Sequence, residues 1–284
     1  MEHVTPGGRQ LSVLRAITRA PEWRGRRVGQ PVRNADARGV WIDSPKASAG
    51  GVIFFVHGGG LVLGSSQLYA EFGERLGDSS GLAVFLVDYG LAPEHRYPEA
   101  EDAVLSAYRW LVAQGHDPSS VVVVGDSAGG TLLLHLLGDL KRLALPQPAG
   151  VILLSPGVDL TFDLAEARDR MRRDPVIRPS FGRACVRAYV GEAVPEGLDV
   201  LGSDLRGWPP MLIVAGETEC LVADAEALRD ALEAVGVPCE LEVWPGQVHV
   251  FAFFGFLPEG RAAMERIGRF AADACAGVRG AEAV

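Results

Sequence analysis

Val121-Val122-Val123-Val124-Gly125-Asp126-Ser127-Ala128-Gly129-Gly130 is an apolar, β-branched run that stops at a Gly-x-Ser-x-Gly turn and leads into the helical stretch Thr131 to Leu143. This is the pattern of a nucleophile elbow. A serine hydroxyl is a poor nucleophile unless it is held clear of the backbone, close to a base and beside donors for a developing oxyanion. A tight strand-to-helix turn helps with all three, because Gly125 and Gly129 let neighbouring backbone approach and the helix N-terminus aims amides at the reacting oxygen. A Gly-x-Ser-x-Gly in a chain with 35 glycines could be an ordinary loop. The buried strand before it and the apolar helix after it single out Ser127 as the nucleophile.

Outward from the elbow, short apolar runs alternate with longer amphipathic stretches. Strands are expected at Val52 to Val56, Leu82 to Asp88, Val121 to Gly125, Val151 to Leu154, Met211 to Ala215 and Leu241 to Trp244, with an edge strand at Val40 to Asp43. Helices are expected at Tyr69 to Leu76, Glu99 to Gln114, Thr131 to Leu143, Asp224 to Val235 and Glu259 to Ala276. Strand, crossover, parallel strand repeated in this way makes an α/β protein with a mostly parallel central sheet and helices on both faces. Two segments break the rhythm: residues 1 to about 35, with one helical stretch at Gln10 to Arg19, and an insertion at residues 160 to 208. Long insertions at the C-terminal edge of a parallel sheet cover a site there. Both are read as a small helical cap on a single domain, with Phe162, Phe181 and Tyr189 as cap core.

The 284 residues carry a formal net charge of -9, which disfavours nucleic acid or an anionic membrane surface as a partner. The arginine clusters at 24–27 and 168–173 are broken by acids or glycine and read as solvated surface. No apolar run approaches the roughly 20 residues of a bilayer span, so a cytoplasmic protein is expected. Cys185, Cys220, Cys239 and Cys275 have neither metal-site spacing nor the density of a disulfide scaffold, and neither metal nor cofactor is expected.

A serine set on such an elbow takes its acid and then its histidine from later in the chain. Only His135 and His249 follow Ser127. His135 lies within a leucine-rich helix and reads as packed, whereas His249 follows the last strand in a Pro/Gly loop and reads as the base. Three carboxylates, Glu217, Glu219 and Asp224, follow strand Met211 to Ala215. Asp224 suits a helix N-terminus, and spacing does not choose between the two glutamates. Oxyanion donors from outside the elbow are expected in His57-Gly58-Gly59-Gly60, directly after strand Val52 to Val56.

These motifs, with Asp88-Tyr89-Gly90-Leu91-Ala92-Pro93-Glu94-His95 between them and Ser155-Pro156-Gly157-Val158-Asp159-Leu160-Thr161 downstream, resemble the hormone-sensitive-lipase-like family of α/β-hydrolases. The resemblance runs from about residue 40 to the C-terminus and implies the α/β-hydrolase fold. It implies Ser127 as nucleophile, His249 as base, Glu219 as acid, and amides of Gly58, Gly59 and Ala128 as the oxyanion hole. Glu219 stands where the family usually has aspartate, Cys220 where it has proline, and Gly90 where it has arginine. Glu94, Asp126 and Asp159 are read as loop braces.

The activity so implied is a serine carboxylesterase that cleaves short- to medium-acyl esters through an acyl-enzyme without a cofactor. Its partner would be a small-molecule ester, and a homodimer is compatible with the chain. The same site could serve an acyltransferase, an amidase or a biosynthetic cyclase. A non-hydrolytic small-molecule receptor on this fold would be expected to lack one of the three groups.

Overall fold

The computed structural model describes residues 29–43 and 50–281. Eight strands form one sheet in the order β1-β2-β4-β3-β5-β6-β7-β8. They are β1 (Gln30–Arg33), β2 (Arg38–Ile42), β3 (Val52–Val56), β4 (Ala83–Val87), β5 (Val121–Asp126), β6 (Gly150–Leu154), β7 (Met211–Gly216) and β8 (Cys239–Trp244). The strands from β3 onward pair in parallel, and β2 runs antiparallel to both β1 and β4.

The central strands are apolar on both sides because helices cover both faces. Phe54, Val56, Val121 and Val123 point into the layer made by α2 (Glu99–Ala113), α3 (Ala128–Arg142) and α6 (Val222–Ala234). Their neighbours Ile53, Phe55, Val122 and Val124 point the other way, against α1 (Ala70–Ser80) and α7 (Pro258–Ala281). This alternation of period two is what a pleated strand imposes on a continuous apolar run.

Strand order reverses between β3 and β5: the chain leaves β3 for α1 on one face and β5 for α3 on the other, which opens a crevice at their C-terminal ends, the usual place for a site on an open parallel sheet. The pairing Val56 with Gly125 brings the glycine run after β3 beside the turn after β5.

The insertion after β6 folds into α4 (Asp163–Met171), α5 (Pro179–Val190) and a short turn at Glu196–Leu198. The Asp159 carboxylate accepts the amides of Asp163 and Leu164 at 2.8 and 3.1 Å and so caps α4. Arg183 of α5 pairs with Glu166 and Asp163 of α4 and joins the two helices.

Two sequence expectations change. The segment expected as an edge strand at Val40 to Asp43 is β2, which lies inside the sheet, and the edge is β1. Pro31 hid β1 from a sequence reading, yet proline is tolerated where a strand has one free side. Residues 30–33 therefore belong to the sheet rather than to a cap. The expected helix Gln10 to Arg19, with the rest of the first 28 residues, lies outside the described residues.

Candidate active site

Ser127 links β5 to α3 with φ 50° and ψ -120°, a strained backbone for a residue with a side chain. The strain is held from several directions. The Ser127 amide donates to Leu154 O at 2.8 Å, and its carbonyl accepts from the amides of Gly130 and Gly157 at 3.0 and 3.3 Å. The flanking glycines are required by close packing, since a Cβ on Gly129 would lie 2.1 Å from Val56 O and one on Gly125 would lie 2.8 Å from Gly129 backbone.

His249 lies in the loop after β8, with Nδ1 2.6 Å from Glu219 Oε2. Glu219 is fully buried, and its other oxygen accepts the Gly216 amide at 2.7 Å. The carboxylate at Nδ1 places the ring proton there and leaves Nε2 as the basic nitrogen. The two loops are stitched together independently of this pair. Thr218 donates its amide and hydroxyl to Gln247 O at 3.0 and 2.7 Å, and the Val250 amide donates to Ser155 Oγ at 3.0 Å.

Glu217 takes a different place. Its side chain is 43% exposed, pairs with Arg172 at 2.7 Å and accepts the Gly246 amide at 2.8 Å. Its carbonyl accepts from Arg168, so this residue ties the end of α4 to the loops rather than serving His249. Asp224 is buried and accepts the amides of Val158 and Asp159, both at 2.8 Å, which makes it a brace for the loop after β6. His135 packs beside the buried Glu101, 3.2 Å from its carboxylate.

Ser127, His249, Gly59, Gly60, Ala128 and Tyr69 share the wall of one cavity of about 250 Å³. The amides of Gly59 and Gly60 meet no acceptor among the described residues, and Ala128 opens helix α3. Gly58 does otherwise. Its amide donates to Asp126 Oδ1 at 2.8 Å, which corrects the expectation that it serves as an oxyanion donor. A Cβ on Gly58 would lie 2.3 Å from Asp126 Oδ2, so glycine is needed there for close approach to the carboxyl.

Tyr69 carried no sequence signal, and Tyr89 stood within the family-like segment at residues 88–95. Tyr69 donates to Asp126 Oδ2 at 3.1 Å, and Tyr89 donates to His57 O at 2.7 Å while stacking on the His57 ring at 4.3 Å. Ser155 stood within the family-like segment after β6, which is the signal that could have found it. Phe162 and Phe181 also line the cavity, contrary to the expectation of a purely cap-core role. Tyr189 is buried, with its hydroxyl on the Glu101 carboxylate. Among the described residues no cluster of His, Cys, Asp and Glu could hold a metal ion, and no helix is long and apolar enough to cross a membrane.

Burial raises two acids near the site. The Asp126 carboxyl is pushed up to about 6 and that of Asp224 to about 7. The Oδ2 of Asp224 is buried without a hydrogen-bond partner, consistent with a carboxyl that holds its proton. Above the ordinary value of 3.8 the unfolded chain releases protons that the folded protein retains, so this group lowers stability progressively from there to about pH 7. Asp224→Asn keeps an acceptor for the two amides and removes that titration. Its melting temperature is expected to fall less than that of the wild type across this interval in a pH series of thermal unfolding, and equal slopes would refute the assignment.

The alpha/beta hydrolase fold family matches residues 53–253. An esterase of Acinetobacter venetianus is 34% identical over 246 residues, covering 85% of this chain and 81% of its own. An acetyl-hydrolase of Streptomyces hygroscopicus is 35% identical over 233 residues, covering 81% and 78%. A solved esterase of the bacterial hormone-sensitive lipase family superposes with a TM-score of 0.79 at 31% identity, covering 94% of this chain and 97% of that one.

Proposed function

Since the chain belongs to the alpha/beta hydrolase fold family, in its hormone-sensitive lipase branch, and is a carboxylic ester hydrolase, we propose that it cleaves short- to medium-acyl esters through an acyl-enzyme on Ser127. His249 Nε2 takes the hydroxyl proton as Ser127 Oγ attacks the ester carbonyl, and the resulting imidazolium is held by Glu219. The tetrahedral oxyanion is met by the amides of Gly59, Gly60 and Ala128. Collapse breaks the bond to the alcohol, which leaves with the proton from His249. Water then attacks the acyl-enzyme by the same route, releases the acid and restores Ser127.

The observation that carries this reading is the buried Glu219–His249 pair at 2.6 Å, whose histidine lines a cavity together with a serine in a strained turn. A cavity of about 250 Å³ falls below the range of roughly 300–1,000 Å³ for drug-sized ligands, which favours a small ester. All four cysteines are free thiols, which supports a reducing, cytoplasmic setting.

The test is product analysis after incubation with a panel of esters and amides, with and without an added alcohol as acyl acceptor. Free acid from the short esters is expected throughout. Transfer of the acyl group to the added alcohol in preference to water would overturn hydrolysis as the reaction, and turnover of none of the panel would overturn the enzyme reading.

A further inference from the structure

The cap supplies much of the apolar wall of the cavity, and one residue in it is held unusually firmly. Phe162 precedes α4 with φ 60°, a left-handed conformation uncommon for a bulky side chain. Its carbonyl accepts the Glu166 amide at 3.0 Å and Arg183 Nη2 at 3.1 Å, while Arg183 Nε donates to Thr161 O at 2.8 Å. Its ring packs both with Leu160, Val186 and Leu198 and with Ala165, Cys220 and Leu221. Phe162 therefore stands between an apolar cluster of the cap and a second one that joins the cap to the loop after β7, with its backbone fixed.

Facing the ring is Gly182, inside α5. A Cβ built there would lie 2.1 Å from Phe162 Cε1 and 2.2 Å from Cζ. Glycine within a helix costs about 1 kcal/mol relative to alanine. The helix accepts that cost, and what occupies the space gained is the phenylalanine ring. Both residues line the cavity that contains Ser127 and His249.

We propose that the Phe162 ring, seated in the notch left by Gly182, is the stop that sets the length of the ester carbon chain admitted to the site. This rests on the ester-hydrolase reading of Ser127 and His249 and adds a residue that determines specificity. Removing the ring opens space at the end of the cavity. Adding a methyl group at Gly182 drives the ring out of its notch, and with Phe162 pinned through its backbone the ring has to move toward the cavity. The two changes therefore act in opposite directions, and the second depends on the first.

The experiment measures kcat/KM for two ester series, p-nitrophenyl esters from acetyl to octanoyl and acetates of alcohols from methyl to octyl, on wild type, Phe162→Ala, Gly182→Ala and the double variant. The series that responds identifies which chain, acyl or alcohol, meets the stop. In that series Phe162→Ala is expected to raise the long-to-short ratio roughly tenfold or more, in line with the value of a methylene in an apolar pocket. Gly182→Ala is expected to lower it by a similar factor, and the double variant to return to the Phe162→Ala profile because the clash is gone. Phe162→Leu, a milder change, is expected to shift the ratio part of the way, and it decides the matter if the alanine variant does not fold.

Labelling of Ser127 by a small serine-directed phosphonate, whatever its rate, is expected in every folded variant and shows that the triad survives, so that a changed long-to-short ratio reports selection. Unchanged ratios in active variants, or a wider profile on Gly182→Ala, would overturn this inference alone. A wild type that turns over no ester would overturn the reading beneath it as well.

Discussion

Ser127→Ala is expected to lower turnover of activated short esters by about a millionfold, the scale seen when a catalytic serine is removed from a hydrolase of this mechanism. The fold is expected to survive. The strained turn is held by backbone hydrogen bonds to Leu154, Gly130 and Gly157, none of which uses the serine hydroxyl. The closest packing in the turn, between Gly129 and Val56, also remains. Losing the hydroxyl removes only a group facing the cavity, so the melting temperature should move little. Steady-state hydrolysis and thermal unfolding measured together check both statements. Retention of most activity would mean that the ester carbonyl is attacked by some other group.

Glu219→Gln is expected to cost about a thousandfold to ten-thousandfold in kcat. The carboxylate accepts two hydrogen bonds, one on each oxygen, from the Gly216 amide and from His249 Nδ1. Glutamine offers one oxygen. If that oxygen faces Gly216, the side-chain amino group meets Nδ1 and forces the ring proton to Nε2, where no base is left for Ser127. If it faces His249, two donors confront each other in a fully buried position. Either way the imidazolium loses its counter-charge. Glu217→Gln should reduce kcat less than about tenfold, because that carboxylate forms an exposed, solvent-screened pair with Arg172 and does not reach the histidine. A severe Glu217 variant beside a mild Glu219 variant would move the acid by two positions along the loop.

The elbow and the parallel sheet were legible because they are written in local pattern. An apolar run buried on both faces, ended by glycines, can be read without knowing what packs on it. What could not be read depended on contacts across the chain. Glu217 and Glu219 sit on one short loop with the same chemistry, so spacing could not separate them; the family resemblance implied Glu219, and the partners Arg172 and His249, 45 and 30 residues away, are the physical difference. Gly58 looked like an oxyanion donor until its amide met Asp126, 68 residues on. Asp224 has the position of a helix-start charge, yet its side chain reaches out to Val158 and Asp159. Phe162 has the composition of core and packs in two apolar clusters, but it also lines the cavity, its ring lying against a glycine twenty positions later in another helix. Strand β1 was missed for a local reason, since Pro31 argues against a strand wherever the edge of the sheet is unknown.

Peptide mapping after reaction with a small serine-directed phosphonate bearing a good leaving group tests the central claim most directly. The phosphonyl group mimics the tetrahedral intermediate and stays on whichever oxygen attacks it, so slow or fast deacylation does not blur the result. One phosphonyl group per chain, carried by Ser127, with activity lost in step and no labelling of Ser127→Ala, is the expected result. Modification of another residue with loss of activity, or full activity after exhaustive treatment, would contradict an acyl-enzyme formed on Ser127.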